Sequence, residues 1–134
     1  MAQAKVIWQP GKRTFIGIDS TKHSVVLSTI DDGVGMKPSE LLLVAVGSCT
    51  AVDVINILEK KRFQLNSLEI TVNAEQDESP PWTFRKIHIH FKLQGAELTE
   101  KAVEQAIQLS EEKYCAVSAT VRPTAEITTS FEIF

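Results

Sequence analysis

From Leu41 to Leu58 the chain carries one formally charged side chain, Asp53, so its longest apolar segment presents apolar groups in every direction. A surface helix keeps a polar face, and this one has none. Pro38 suits the first turn of a helix, which predicts a helix from Pro38 to about Arg62. One outlet for such a segment is a membrane span, since about 18 apolar residues is near the lower limit for crossing a bilayer. Asp53, Asn56 and the polar run Ser48, Cys49, Thr50, with no second segment of the kind, argue against it. The other outlet is a helix buried on all sides, within a core or between subunits. Gly47, Ser48 and Ala51 add small side chains where another backbone approaches closely. A chain of 134 residues struggles to surround this helix alone, which predicts an intimate homodimer.

Length allows one domain, residues 1–134, with a real core. With 43% hydrophobic and 23% charged residues, the composition is that of a soluble globular protein. A net charge of −3 and a pI near 5.6 remove the broad attraction for phosphate on which nucleic-acid binders rely. No nucleic-acid or membrane partner is expected. The N-terminal MAQAKVIWQPGKR lacks the apolar core of a secretory signal, so the cytoplasm is the expected compartment. Thiols stay mostly reduced there, which favours buried thiols or a transient catalytic pair over a permanent disulfide.

The first thirty residues read as a meander: AKVIW, the turn PGKR, TFIGID, the turn STKH, then SVVLSTI. The loop DDGVGMKP leads into the apolar helix. After it, SLEITVNAEQ alternates Leu68, Ile70 and Val72 on one face, and KIHIHFKL sets Ile87, Ile89, Phe91 and Leu93 against Lys86, His88, His90 and Lys92. These are two long antiparallel strands, half buried. Thr99 is a good N-cap for a second helix through about Lys113, with Ala102, Val103, Ala106, Ile107 and Leu109 as its apolar stripe. AEITTSFEIF closes the chain as a strand. The order βββ-α-ββ-α-β makes the fold class α+β.

Only two cysteines are present, Cys49 inside the apolar helix and Cys115 where the second helix should fray. Their separation is too long for a CxxC motif, so any partnership must come from tertiary structure. Burial makes a thiol inert unless a cation or hydrogen-bond donors stabilise the thiolate, and Asp53, four residues after Cys49, works against it. The plain alternative is two packed core thiols. His88 and His90 share a strand face, a spacing that with His23 would suit a metal, but Lys86 and Lys92 flank them and repel a cation, so no metal is expected there. No Walker loop, GxSxG or HExxH is present.

KPSELLLVAVGSCTAVDVINILEKK, SEEKYCAVSATV and PPWTFRKIHIHF together resemble the OsmC/Ohr superfamily of osmotically induced and organic hydroperoxide resistance proteins. The resemblance covers Phe15 to Phe134. Its specific parts are a proline followed eleven residues later by a cysteine in a long apolar helix, and a second cysteine near the end of the next helix. It implies an OsmC/Ohr-like fold, an intertwined dimer around two central helices, with sites at the dimer interface. It also implies a two-cysteine peroxidase cycle: Cys49 attacks an organic hydroperoxide and becomes a sulfenic acid, Cys115 condenses with it to a disulfide, and a small or protein-bound dithiol restores both. No cofactor is required. The family's activating glutamate directly follows the proline; here Ser39 stands there and Glu40 follows, so Glu40 is the expected counterpart. Arg13 is the expected activating arginine, with Arg62 and Arg122 as the other candidates. The alternative function is a non-catalytic protein of this fold that binds a small hydrophobic ligand at the dimer interface.

Overall fold

In the computed structural model, residues 2–29 and 33–134 are described, and they fall into two units, Met1–Leu42 and Leu43–Phe134. The first unit holds β1 (Ala4–Trp8), β2 (Thr14–Asp19) and β3 (Ser24–Ser28), an antiparallel sheet in the order β1-β2-β3. This is the expected meander. Asp19 builds its second turn, accepting the backbone N–H of Thr21 at 3.0 Å and of His23 at 2.8 Å on one carboxylate oxygen. The third strand was expected to reach Ile30; β3 ends at Ser28, and Ile30, Asp31 and Asp32 lie outside the described residues.

Helix α1 (Pro38–Lys60) begins where Pro38 predicts and stops two residues before the expected Arg62. Its end is a Schellman motif: Arg62 takes φ 66°, its N–H bonds Glu59 O at 2.9 Å, and Phe63 N–H bonds Leu58 O at 3.1 Å. The rest of the second unit is β4 (Ser67–Gln76), β5 (Phe84–Gln94), α2 (Glu100–Leu109), a π-helical turn (Ser110–Tyr114), α3 (Ala116–Val121) and β6 (Glu126–Ile133). Strands β4 and β5 pair antiparallel, as the alternation predicts, and β5 pairs β6 parallel. A parallel pair needs a crossover connection, and the run from α2 to α3 supplies it.

Ile87, Ile89, Phe91 and Leu93 of β5 are fully buried and form one core with Val46, Val54 and Leu58 of α1 and Val103 and Ala106 of α2. Each such side chain contributes about 1.5–3 kcal/mol by leaving water. Gly47 lets α1 lie close on β4: a Cβ there would come within 2.9 Å of Val72 Cγ2. Within the single chain α1 is covered in part. Val46, Gly47, Thr50, Val54 and Leu58 are buried, whereas Val44 is 49% and Val52 57% exposed. By length and composition α1 would also cross a membrane, but its polar residues Thr50 and Asp53 have partners within the fold.

The second helix departs from expectation in a way that matters for the site. Thr99 caps it, accepting Ala102 N–H on its hydroxyl at 3.2 Å, yet α2 ends at Leu109 rather than Lys113. Cys115 N–H bonds Ser110 O at 2.8 Å, the wide hydrogen bond of a π turn, and the chain then starts a third helix absent from the expected order.

Candidate active site

The crossover sets Cys115 against α1. Cys115 is not at a fraying helix end, as its sequence position suggests, but caps α3 and is only 3% exposed. Its sulfur accepts the Ser118 backbone N–H at 3.4 Å, and the Thr50 hydroxyl donates to it from α1 at 3.6 Å. Cys49, one residue before Thr50, is half-buried. The sulfurs of Cys49 and Cys115 and a carboxylate oxygen of Asp53 all lie within 4.8 Å of one another. Asp53 is held there by fully buried Ser110, whose hydroxyl donates to Asp53 Oδ2 at 2.8 Å.

The two thiols are unequal. Burial pushes Cys49 above its ordinary value; the Val117 N–H opposes this, while the hydrogen bond to Cys115 and the charges of Cys115 and Asp53 add to it. Burial opposes ionisation of Cys115 too, but hydrogen bonds from Ser118, Cys49 and Thr50 outweigh it and hold this thiol below its ordinary value. Cys115 is therefore the more acidic thiol of the pair. The sequence suggests that Cys49 is the deeper sulfur; in the fold it is the more accessible one.

Behind Cys115 lies a carboxylate with its own cation. Glu111, in the π turn, accepts hydrogen bonds on Oε1 from Thr50 Oγ1 at 3.1 Å and Ser118 Oγ at 3.3 Å. Arg122 Nη2 donates to Glu111 Oε2 at 3.1 Å and to its backbone oxygen at 2.7 Å. Thr50 has three acceptors within reach, Val46 O at 3.1 Å, Glu111 and Cys115, for one hydroxyl hydrogen. A cavity of about 680 Å³ opens beside Glu111 and Arg122 but is lined by neither cysteine.

Of the four expected site residues, the fold brings Cys49 and Cys115 together within the second unit. Glu40 lies in the first turn of α1 and Arg13 in the bend between β1 and β2, both in the first unit. Among the candidate arginines, Arg62 lies just past the C-terminal end of α1, and Arg122 is joined to Cys115 through Glu111, Thr50 and Ser118. Glu111, Thr50, Ser110 and Ser118 were not singled out in the sequence. Their only signal was closeness in sequence to the cysteines. The histidines are engaged elsewhere: His88 bonds Thr128 at 2.6 Å and Ser130 at 2.8 Å, His90 bonds Ser130 at 2.7 Å, and His23 bonds Thr21 at 2.8 Å.

Comparison with known proteins gives this arrangement a family context. Residues 31–130 match the family model described as OsmC-like protein. Protein YhfA of Escherichia coli (strain K12) is 35% identical over 131 residues, covering 98% of this chain and 97% of its own. A crystal structure of a hypothetical protein from Aquifex aeolicus VF5 superposes with a TM-score of 0.89 at 33% identity, covering 100% of this chain and 96% of that one. An organic hydroperoxide resistance protein OsmC from Legionella pneumophila shares the fold alone, with a TM-score of 0.70 at 14% identity over 98% of this chain and 96% of that one.

Proposed function

Since this chain belongs to the OsmC-like protein family, we propose that it is a thiol-dependent peroxidase that reduces organic hydroperoxides through a two-cysteine cycle. The observation that carries the reading is the approach of the two sulfurs to within 4.8 Å of one another. That the same fold occurs in a protein described as conferring organic hydroperoxide resistance supports the substrate class.

The inequality of the thiols gives each a task. Cys49 is the sulfur an oxidant reaches, but it holds its proton; Cys115 is the better thiolate but is enclosed. In our reading the Cys49 proton passes to the Cys115 thiolate. The Cys49 thiolate then attacks the peroxide, the O–O bond breaks, and the alkoxide leaves as an alcohol by taking that proton back from Cys115. The Cys115 thiolate next attacks the sulfenic sulfur of Cys49, expelling hydroxide, which is released as water after taking up a proton from solvent. An external dithiol reduces the resulting disulfide. Ser118 and Thr50, backed by Glu111 and Arg122, keep Cys115 ready as proton acceptor and resolving thiolate.

The reading includes a homodimer formed over the uncovered apolar face of α1, with Val44 and Val52 at its centre, working in the cytoplasm where dithiol reductants are maintained. Glu40 and Arg13 stay within the proposal as the counterparts of the family's activating glutamate and arginine. That same apolar face favours the second reading, a binder of a small hydrophobic ligand with the cysteines as packing. Consumption of cumene hydroperoxide in the presence of dithiothreitol separates the two. Turnover that is lost in Cys49→Ser supports catalysis, and no turnover above that variant supports binding.

A further inference from the structure

The triad of Cys49, Asp53 and Cys115 puts three anion-forming groups into one half-buried space. The charges that perturb Cys49, those of Cys115 and Asp53, both oppose its ionisation, and Arg122 commits its guanidinium to Glu111. A second thiolate there would stand beside a carboxylate and another thiolate, which is costly away from water. We infer that the reduced protein binds a thiophilic divalent cation, zinc being the cellular example, through Cys49 Sγ, Cys115 Sγ and a carboxylate oxygen of Asp53.

The donor set and its spacing fit that ion. Cys49 and Asp53 stand four residues apart on α1 and so project from one face of the helix, and Cys115 approaches from the crossover. Zinc takes thiolate at about 2.3 Å and carboxylate at about 2.0–2.2 Å, so tetrahedral donors stand roughly 3.5–3.8 Å apart. The donor atoms already lie within 4.8 Å of one another, and closing to those separations, by about 1.3 Å at most, is within reach of small side-chain rotations. Two thiolates and one carboxylate leave the fourth position open, and thiolate ligands select zinc over the harder magnesium and calcium ions. The outer contacts are those a metal site needs: Ser110 fixes Asp53, and the Ser118 N–H and Thr50 hydroxyl orient Cys115.

Binding requires both sulfurs as thiolates, so the protons they carry are released to the buffer and affinity rises with pH. The ion brings two positive charges to a site that otherwise reaches three negative ones. A metal held there takes both sulfurs out of reach of an alkylating or oxidising agent, and the site is therefore a reversible cap on the dithiol.

The test uses the reduced full chain under anaerobic conditions, with cobalt(II) as the spectroscopic probe and zinc as the competitor. One equivalent of cobalt should give a sulfur-to-metal charge-transfer band that zinc abolishes, and the band should be absent from the Cys49→Ala/Cys115→Ala double variant. Asp53→Asn keeps both sulfurs and should weaken binding at least tenfold. Ser110→Ala, which leaves the carboxylate but removes its tether, should weaken it about tenfold to a hundredfold, and it replaces Asp53→Asn if that variant does not fold. Absence of the band at one equivalent overturns the inference. So does a band that persists in the double cysteine variant, or affinity unchanged in the folded carboxylate and serine variants. Hydroperoxide plays no part in this readout, so it stands or falls independently of the peroxidase reading.

Discussion

Cys49 and Cys115 approach within 4.8 Å as unequal partners: the enclosed Cys115 thiol is held below its ordinary value, while the more accessible Cys49 is pushed above. The inequality follows from the backbone around each. Cys49 sits deep in a helix whose backbone N–H groups bond within the helix. Cys115 sits at a break between a π turn and α3, where the Ser118 N–H is free to point at sulfur.

Titration of the thiolates by ultraviolet absorbance should therefore give two steps, one below and one above the ordinary 9.0. Cys115→Ala removes a hydrogen bond and a charge that both raise Cys49, so the remaining thiol should titrate lower than the upper step of the wild type. Cys49→Ala removes a donor to Cys115, so that thiol should titrate higher than the lower step. Reactivity of the wild type toward iodoacetamide should begin to rise below pH 9 for the same reason. Shifts of the opposite sign in both variants would contradict this ordering of the two thiols.

Thr50→Val keeps the shape of the side chain and deletes the hydroxyl that serves Cys115 and Glu111. The Cys115 thiol should titrate higher, and closure of the disulfide near neutral pH should slow. Thr50→Ser should restore both. Because Glu111 retains Ser118 and Arg122, the loss of stability should be no more than about 1 kcal/mol, read as a urea midpoint shift at constant slope.

How far the sequence reveals this site depends on which interactions are periodic. The buried face of β5 follows from strict alternation at Ile87, Ile89, Phe91 and Leu93, and α1 from Pro38 and its apolar run. The meander and both long strands are legible for the same reason. The π turn and α3 are not: SEEKYCAVSATVRP has no clean period, and its structure depends on hydrogen bonds to particular atoms, Cys115 N–H to Ser110 O and Ser118 N–H to sulfur. The parallel pairing of β6 with β5 is a matter of topology, which alternation does not encode. The Glu111–Arg122 pair is invisible for a related reason, since it forms across α3, eleven residues apart.

Gly47 gives a structural check on the seat of α1. Gly47→Ala gains about 1 kcal/mol of helix propensity but sets a methyl 2.9 Å from Val72 Cγ2, on a β-branched side chain with little rotamer freedom. Overpacking of this kind costs about 1–3 kcal/mol, so the net change should range from near zero to a loss of about 2 kcal/mol. A clear gain in thermal stability would show that α1 and β4 are less closely packed than described.

Val52, 57% exposed on α1, marks the face assigned to a second copy of the chain. Sedimentation should give a dimer that persists on dilution and in moderate salt, because an interface built on apolar burial is little screened by ions. Val52→Asp should yield monomers. A wild-type chain that sediments as a monomer at micromolar concentration would remove the dimer from the account.

The central claim is that Cys49 and Cys115 act as one peroxide-reducing pair. Its most direct test is to treat the reduced protein with one equivalent of cumene hydroperoxide and map the products by mass spectrometry. One equivalent of the alcohol and a disulfide joining Cys49 to Cys115 within one chain should form. Cys115→Ser should stop at a sulfenic acid on Cys49, and Cys49→Ser should leave the peroxide unconsumed. Peroxide left intact by the wild type, or consumed equally fast without Cys49, would contradict it.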